Sequence, residues 1–588
     1  MVYIVFAKDK KRISEFKGVF WSYFGENNGY VYAEKVLGSE KRDFLGEKIE
    51  RIVSQVRDNF IDYIGYASTF QNNKLLWYSS RVASKSFSQM FMFHQYVYLK
   101  LIESYVDSGK EHLLIIDDLT LWENLKLFNL PGVKIYEYIT ASFLRHRLLK
   151  KIKADFQFFY CLIYWVIFKF FLPAPKAIKY DVILHSFIDS RVFFRLPEYN
   201  DSYFGNLEDF LKEQRLSVLR MSPIIVGLRS AIKLKKYFRN IALLLSYLKL
   251  SDFSRVFFTR MRIKNEVPEK EGIQDIKLLN ILLKQEERFE NGTKDFQLNL
   301  FYYYAFRNFA KKFHSIASII YTFENQPWEK MLNLAFGNNF KKIAYQHTTV
   351  SANWLDYRTS AFEKFAPLPD IILASGQAWL NFLRNYYGSC FLEEAGAIRL
   401  NHLFSLSQRS DNQKSKRIVV ALPILPGIAK ALQKCLLDCL ASGKFNEYRF
   451  VIKSHPYLIR TALFSKLFSH YDNCEVSESS LNELLRDCVL LITSGSTAAF
   501  EALSWGVRTL YFIPETVSIG SEYFIREHLE IAFVDDFMEK LFDCLRKSIK
   551  PMKFNVKEFF SPADYSVFLK HLAKTDKCVD AIFSGNNP

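Results

Sequence analysis

VLLITSGSTAAFEALSWGVRTLYF, residues 489–512, runs strand, turn, helix, strand. A short apolar run closes on small hydroxyl residues, an alanine- and leucine-rich stretch follows, and a second β-branched and aromatic run ends the unit, which is the repeating element of parallel α/β sheets. Working outward, the second half of the chain has strand-like runs at Ile418–Leu422, Arg449–Lys453, Val489–Thr493 and Thr509–Ile513, each followed by a helix-like stretch. The first half has them at the amino terminus (MVYIVF) and at Leu113–Ile116, Val182–His185, Ser217–Arg220, Ala317–Thr322 and Ile343–Gln346. The polar stretch SLSQRSDNQKSKR, 405–417, has linker composition. A chain of 588 residues is too long for one core. The expected division is an N-terminal domain over 1–365, with extra basic and apolar helices at about 145–260, and a C-terminal domain over 366–588.

Lys and Arg exceed Asp and Glu by 79 to 62, a formal charge of +17 that favours a polyanionic partner. Fifty-six Phe and 33 Tyr tilt that choice towards a lipid interface, where rings keep a wet polar edge. FQFFYCLIYWVIFKFFL, 156–172, is apolar but interrupted by Gln157 and Lys169. It is short of the roughly 20 residues a spanning helix needs. Basic residues lie on both sides of it (Arg145, Arg147, Lys150, Lys151 and Lys153 before, Lys176 and Lys179 after), so a helix lying in the interface fits better than a crossing one. A second membrane-facing helix is expected within Gly227–Leu250; the alternative for both is a buried helix with a solvated basic face. The amino terminus lacks the apolar region of a signal peptide, and the eight cysteines show neither a C-x-x-C pair nor zinc spacing. They read as buried thiols of a protein kept inside the cell. No run concentrates aromatic and basic residues as nucleic-acid-binding folds do.

The chemistry-bearing residues cluster at expected strand ends, where open α/β sheets hold ligands. The turn Ser494, Gly495, Ser496, Thr497 opens a helix, so its N–H and hydroxyl groups suit a phosphate, or equally a plain helix cap. Glu501, one helical turn on, is placed to bind ribose hydroxyls. Lys453 and His455 end the Arg449–Lys453 strand; His455 suits donation to a phosphate oxygen. In FENQPWEKML, Glu324, Asn325 and Gln326 follow a strand and Pro327 opens a helix at its favoured position. Glu324 is the first candidate for a general base and Glu329 the second, with Gln346 and His347 at the next strand end and the acidic pair Asp117 and Asp118 closing an earlier one. A helix cap at Glu324 and a packed His347 are the structural alternatives.

The His455–Pro456 pair and the serine turn resemble the HP and paired-serine motifs of bacterial GT-B transferases, including capsule sialyltransferases and polyol-phosphate transferases. Glu501–Gly506 (EALSWG) resembles the GT-B donor-domain signature, with two departures: Gly495 separates the serines, and Val507–Arg508 stands where proline is usual. A likeness spread over most of the chain is to surface-carbohydrate (O-antigen-region) biosynthesis proteins, through IIDDLTLW (115–122), SYFGNLEDFL (202–211), FENQPWEKML (323–332), AYQHTTVS (344–351) and GAIRLNHL (396–403). The resemblance implies a GT-B α/β architecture of two Rossmann-like domains facing a cleft, with membrane-associating helices in the N-terminal half. It implies a glycosyltransferase moving a sugar from a nucleotide-sugar donor to a glycan or lipid-linked glycan acceptor in O-antigen, lipopolysaccharide or capsule synthesis. Such a protein is expected to be peripheral on the cytoplasmic face of the inner membrane, against an anionic surface. No metal and no cofactor is implied, the nucleotide sugar being substrate, and no nucleic acid. The rivals are a nucleotide-sugar epimerase of similar fold and a non-catalytic membrane-associated scaffold.

Overall fold

The computed structural model describes residues 1–24, 30–86, 90–118, 121–122, 125–126, 128, 130–138, part of 152–169, 180–187, 201–223, 241–259, 267–291, 293–351, 353–406, 416–455, 467–468, 470–495, 497–516, 523–546 and 554–573. Their strands form three wholly parallel sheets. The first sheet holds β1 (Val2–Phe6), β2 (Phe20–Phe24), β3 (His112–Ile116) and β4 (Val133–Ile135) in the order β2-β3-β1-β4. The second holds β5 (Val182–His185), β6 (Val218–Ser222), β7 (Ile241–Leu243), β8 (Ser318–Thr322), β9 (Lys341–Tyr345), β10 (Ile371–Ala374) and β11 (Phe391–Glu394), in the order β11-β10-β9-β8-β5-β6-β7. The third holds β12 (Arg417–Ala421), β13 (Arg449–Lys453), β14 (Cys474–Ser477), β15 (Leu490–Thr493), β16 (Arg508–Phe512) and β17 (Glu530–Ala532), in the order β14-β13-β12-β15-β16-β17.

Counted from its own first strand, each of the two larger sheets begins 3-2-1-4-5-6, the doubly wound Rossmann order. Central strands β5, β8, β10 and β15 are buried along their whole length, which is why they read as continuous apolar runs. The strands absent from the sequence reading include β11 (FLEE), β14 (CEVS) and β17 (EIA), which lie at sheet edges, are partly exposed and carry Glu where an apolar run was sought.

The division expected at residue 365 falls within the second sheet, because β10 pairs with β9 on one side and β11 on the other. The first sheet is a unit of its own, and its helices touch both of the others. From the helix Gly46–Thr69, Asp62 accepts the hydroxyl of Ser360 at 2.8 Å; in the other direction Arg42 pairs with Glu515, which also accepts the Leu45 N–H at 3.1 Å. The chain end returns to the second sheet. The Ala573 N–H donates to Ser318 Oγ at 2.8 Å, and Phe568 packs edge-on against Tyr345. Gly396 lets this segment close in: its φ is +78°, and an added Cβ would lie 2.0 Å from the Pro562 carbonyl oxygen. Gly396→Ala is expected to destabilise by more than about 2 kcal/mol and to expose the 554–573 segment to protease, checked by limited proteolysis followed by mass spectrometry.

Of the second expected membrane-facing helix, 227–240 lies outside the described residues; 241–243 is β7, and Leu244–Tyr247 is a 3-10 turn. Of the expected linker, 407–415 lies outside them. Among the described residues no helix is long and apolar enough to cross a membrane. Six of the seven described cysteines are buried.

Candidate functional site

In a doubly wound sheet the crevice lies at the carboxyl ends of the first and fourth strands, where the crossovers diverge to opposite faces. For the third sheet those are β12 and β15. Ala421 is in register with Lys453 on one side and Thr493 on the other. Lys453 and Ser494, next after Thr493, therefore flank the crevice about 10 Å apart, two strand spacings. Lys453 is half-buried and its ammonium donates to the Glu478 carbonyl at 3.1 Å; burial lowers its pKa against the opposing pull of Glu478 and Glu483. His455 is partly buried just beyond. Ser494 is buried. Gly495 takes φ +57°, and its N–H donates to the Tyr511 hydroxyl at 2.8 Å, so that one donor of the turn is already engaged. Thr497 is the N-cap residue of the helix Ala498–Ser504 without a side-chain cap bond. Ser496 and Pro456 lie outside the described residues.

For the second sheet the crevice lies between β5 and β8, and Glu324 stands two residues past β8. The turn carrying it is held from below. Asn325 adopts a left-handed φ of +56°; its amide donates to the Asp356 carbonyl at 2.6 Å and its oxygen accepts from Lys330 at 3.0 Å. The Gln326 amide donates to the Asp356 carboxylate at 2.8 Å, and Pro327 opens the helix Pro327–Phe336. Glu329 is not placed as a base. Its two carboxylate oxygens accept the N–H groups of Glu324 (2.9 Å) and Asn325 (2.8 Å), so it reaches back from the first turn of the helix to fasten the turn that precedes it. Gln346 is likewise used inside the fold: it is fully buried, its oxygen accepts from the Ser375 N–H at 3.0 Å and the Ser375 hydroxyl at 2.9 Å, and its amide donates to the Thr348 carbonyl. The Asp118 carboxylate accepts the Leu121 N–H at 2.8 Å, closing the turn after β3 in the first sheet.

The Glu324 carboxylate lies 3.5 Å from Nε2 of His347, which stands two residues past β9 on the neighbouring strand. The Tyr203 ring meets the His347 ring edge-on with centroids 5.0 Å apart, and the Arg399 guanidinium lies over Tyr203 at 5.8 Å. Asp201 fixes the Tyr203 loop by accepting the N–H groups of Tyr203 (2.8 Å) and Phe204 (2.9 Å), while the Ser186 hydroxyl past β5 donates to its other oxygen. Burial pushes the Glu324 pKa up to about 7, and Arg399 pulls against it. The same two causes act on Glu501 of the third sheet, also held at about 7, and His402 Nε2 lies 3.9 Å from its carboxylate. Arg399 and His402 stand on one short stretch between β11 and β12, the first over Tyr203 and the second beside Glu501. Tyr203, Arg399 and His402 were missed as individual site residues. Their runs, SYFGNLEDFL and GAIRLNHL, carry the family likeness, but nothing local in GAIRLNHL distinguishes an arginine that packs over a distant tyrosine from one that faces water.

A cavity of about 270 Å³ opens where the first sheet roofs the carboxyl ends of β16 and β17, lined among others by Tyr30, Arg42, Lys434, Glu515 and Phe537. Among the described residues no group of three or more His, Cys, Asp or Glu side chains is arranged to hold a metal ion.

No family model and no curated protein matches the sequence. Solved structures similar to part of it include UDP-GlcNAc 2-epimerase from Neisseria meningitidis bound to UDP-GlcNAc (11% identity, TM-score 0.39, 67% of this chain and 99% of that one). Others are S. aureus MnaA with UDP (10%, 0.39, 68% and 95%) and a UDP-forming α,α-trehalose-phosphate synthase from Burkholderia xenovorans (10%, 0.35, 67% and 99%). At such scores the fold rests on the strand order itself: a mixed α/β protein with two doubly wound parallel sheets and an additional four-stranded one.

Proposed function

We propose that the chain is a GT-B-type glycosyltransferase that moves a sugar from a nucleotide-sugar donor, held by the third sheet, to a hydroxyl of a surface glycan or lipid-linked glycan held by the second. The observation that supports this reading is the short stretch Arg399–His402, whose Arg399 lies over the Tyr203 ring that meets His347 beside Glu324, and whose His402 Nε2 lies 3.9 Å from the Glu501 carboxylate. Glu324 accepts the proton of the acceptor hydroxyl as its oxygen bonds to the anomeric carbon. The bond from that carbon to the donor phosphate breaks, and the departing charge is met by the Ser494–Thr497 turn, Lys453, His455 and Arg399. Glu501 holds the ribose. O-antigen, lipopolysaccharide or capsule synthesis at the cytoplasmic face of the inner membrane is the setting this reading implies.

The test is a thermal-shift screen against CMP, CDP, UDP, GDP and ADP forms and their sugars, with His455→Ala and Ser496→Ala alongside. One base is expected to stabilise the parent by about 3 kcal/mol at a hundredfold excess over its Kd, and neither variant is expected to respond as the parent does. Failure of every nucleotide to bind would leave a scaffold. An epimerase is separated by incubating the protein with the recognised nucleotide sugar alone: epimerisation needs no acceptor, whereas transfer does. The Glu324–His347 and Glu501–His402 pairs, acid–base groups on both sides of the cleft, are the feature an epimerase would also use.

A further inference from the structure

The described residues of 152–169 include a helical stretch whose outward face has the wrong chemistry for water. Ile152, Phe156, Phe159, Ile163 and Val166 follow one another at spacings of four and three residues, one stripe of a helix, and all five are exposed, Phe156 at 74%. The opposite face is spoken for. Phe158 packs on Phe253, Phe257 and Phe301, Cys161 is buried, and the Trp165 indole donates to the Leu248 carbonyl at 2.8 Å. Beside this stretch the helix Leu250–Phe258 repeats the pattern. Its Phe253 and Val256 are buried, while Leu250 (66%), Phe257 and Phe258 (77%) stand in the open. A water-facing helix carries polar groups on its outer stripe; here two adjoining helices expose eight large apolar side chains.

The surrounding charge is predominantly positive, with Asp252 buried beside Arg255 at 3.6 Å. Lys169 lies over the Trp165 ring, Arg255 is more than half exposed within the second helix, and Lys249 precedes it. Along the chain the first stretch is preceded by Arg145, Arg147, Lys150, Lys151 and Lys153 and followed by Lys176 and Lys179, with Asp155 the one acidic residue from 145 to 180. Apolar residues that enter the acyl boundary beside cations that meet headgroup phosphates are the requirements for shallow docking on an anionic bilayer. A protein partner would need a matching apolar surface but has no use for so strongly basic a border.

We propose that the paired helices of 152–169 and Leu250–Phe258 form a docking surface for an anionic lipid bilayer, with Phe156, Phe159, Leu250 and Phe258 entering it. The surface lies beside β7, at the outer edge of the second sheet. This deepens the transferase reading by naming the partner of the acceptor side, but the docking itself requires no sugar transfer.

The experiment is co-sedimentation of the full chain with vesicles of phosphatidylglycerol and phosphatidylcholine, and with phosphatidylcholine alone. The double variant Phe159→Asp/Phe258→Asp and its control Phe159→Leu/Phe258→Leu are run in parallel, together with thermal unfolding and light scattering. The parent and the leucine control are expected to bind the anionic vesicles, and the aspartate variant to bind at least about tenfold more weakly with an unchanged Tm, because both sites are exposed. The proposal is overturned if the parent ignores anionic vesicles, if the aspartate variant binds as the parent does, or if the parent is a dimer that the aspartates make monomeric. Lipid binding without nucleotide response would sink the transferase reading alone, and the converse would sink this one alone.

Discussion

Glu324→Gln is expected to lower sugar transfer by about 10²–10⁴-fold while nucleotide binding in the thermal-shift screen stays at the parent value. The change removes the proton acceptor and little else: the turn is held by the backbone N–H groups of Glu324 and Asn325 on Glu329, and by Asn325 on Asp356 and Lys330, none of which uses the Glu324 carboxylate. The pH dependence is the sharper check. Burial raises the Glu324 pKa to about 7, so transfer at limiting substrate should fall as pH drops through about 7 and the base takes up a proton. The sign for stability follows from the same shift. A carboxyl group at about 7 in the fold and near 4.5 when unfolded favours folding most below 4.5, and that contribution is lost as pH rises towards 7. Glu324→Gln should remove the acid limb from whatever transfer remains. A limb that persists unchanged near 7 would assign the titration to Glu501, which is raised by the same cause.

The largest stability effect is expected at Lys85 and Glu363. Both side chains are almost wholly buried, and the Lys85 ammonium donates to both carboxylate oxygens, at 3.0 and 2.8 Å. The Ser360 N–H donates to the same carboxylate at 2.9 Å. The pair joins the helical segment after Arg81 to the loop between β9 and β10, fastening the N-terminal unit onto the second sheet. Removing one partner leaves a buried charge without its hydrogen-bonded ion-pair partner. Lys85→Met and Glu363→Leu should each cost about 3–5 kcal/mol, and the double variant markedly less than their sum, because neither charge then remains. Urea unfolding followed by tryptophan fluorescence checks this. Additive losses would mean that the two residues are not paired.

Much of the strand framework was legible because burial on both faces writes itself as an apolar run, as in LLII, VILH and RFVIK. The turn at Ser494 and the Pro327 helix start were legible for a similarly local reason: Ser, Gly and Pro set backbone geometry wherever they stand. The fate of Glu329 and Gln346 was not. Each is a polar residue next to a strand end, and only the folded backbone shows that Glu329 meets two N–H groups of its own turn and that Gln346 bridges to Ser375 after β10. Arg399 and His402 are the clearest case, since the meeting of Arg399 with Tyr203 and of His402 with Glu501 depends on how distant segments pack.

The amino-acid sequence by itself determined the alternation of strand and helix, the parallel α/β class, the candidate residues at strand ends, and the apolar 156–172 stretch with its basic flanks. The tertiary structure alone decided that the first 135 residues contribute a separate sheet, that β10 and β11 belong to the second sheet, that Glu324 meets His347, that Arg399 lies over Tyr203, and that His402 stands beside Glu501. The reason is range. Periodicity, turn chemistry and helix capping act over a few residues and are written in the local order of side chains. Strand order and the meeting of charges depend on which distant segments pack together, and they exist only once the chain has closed on itself.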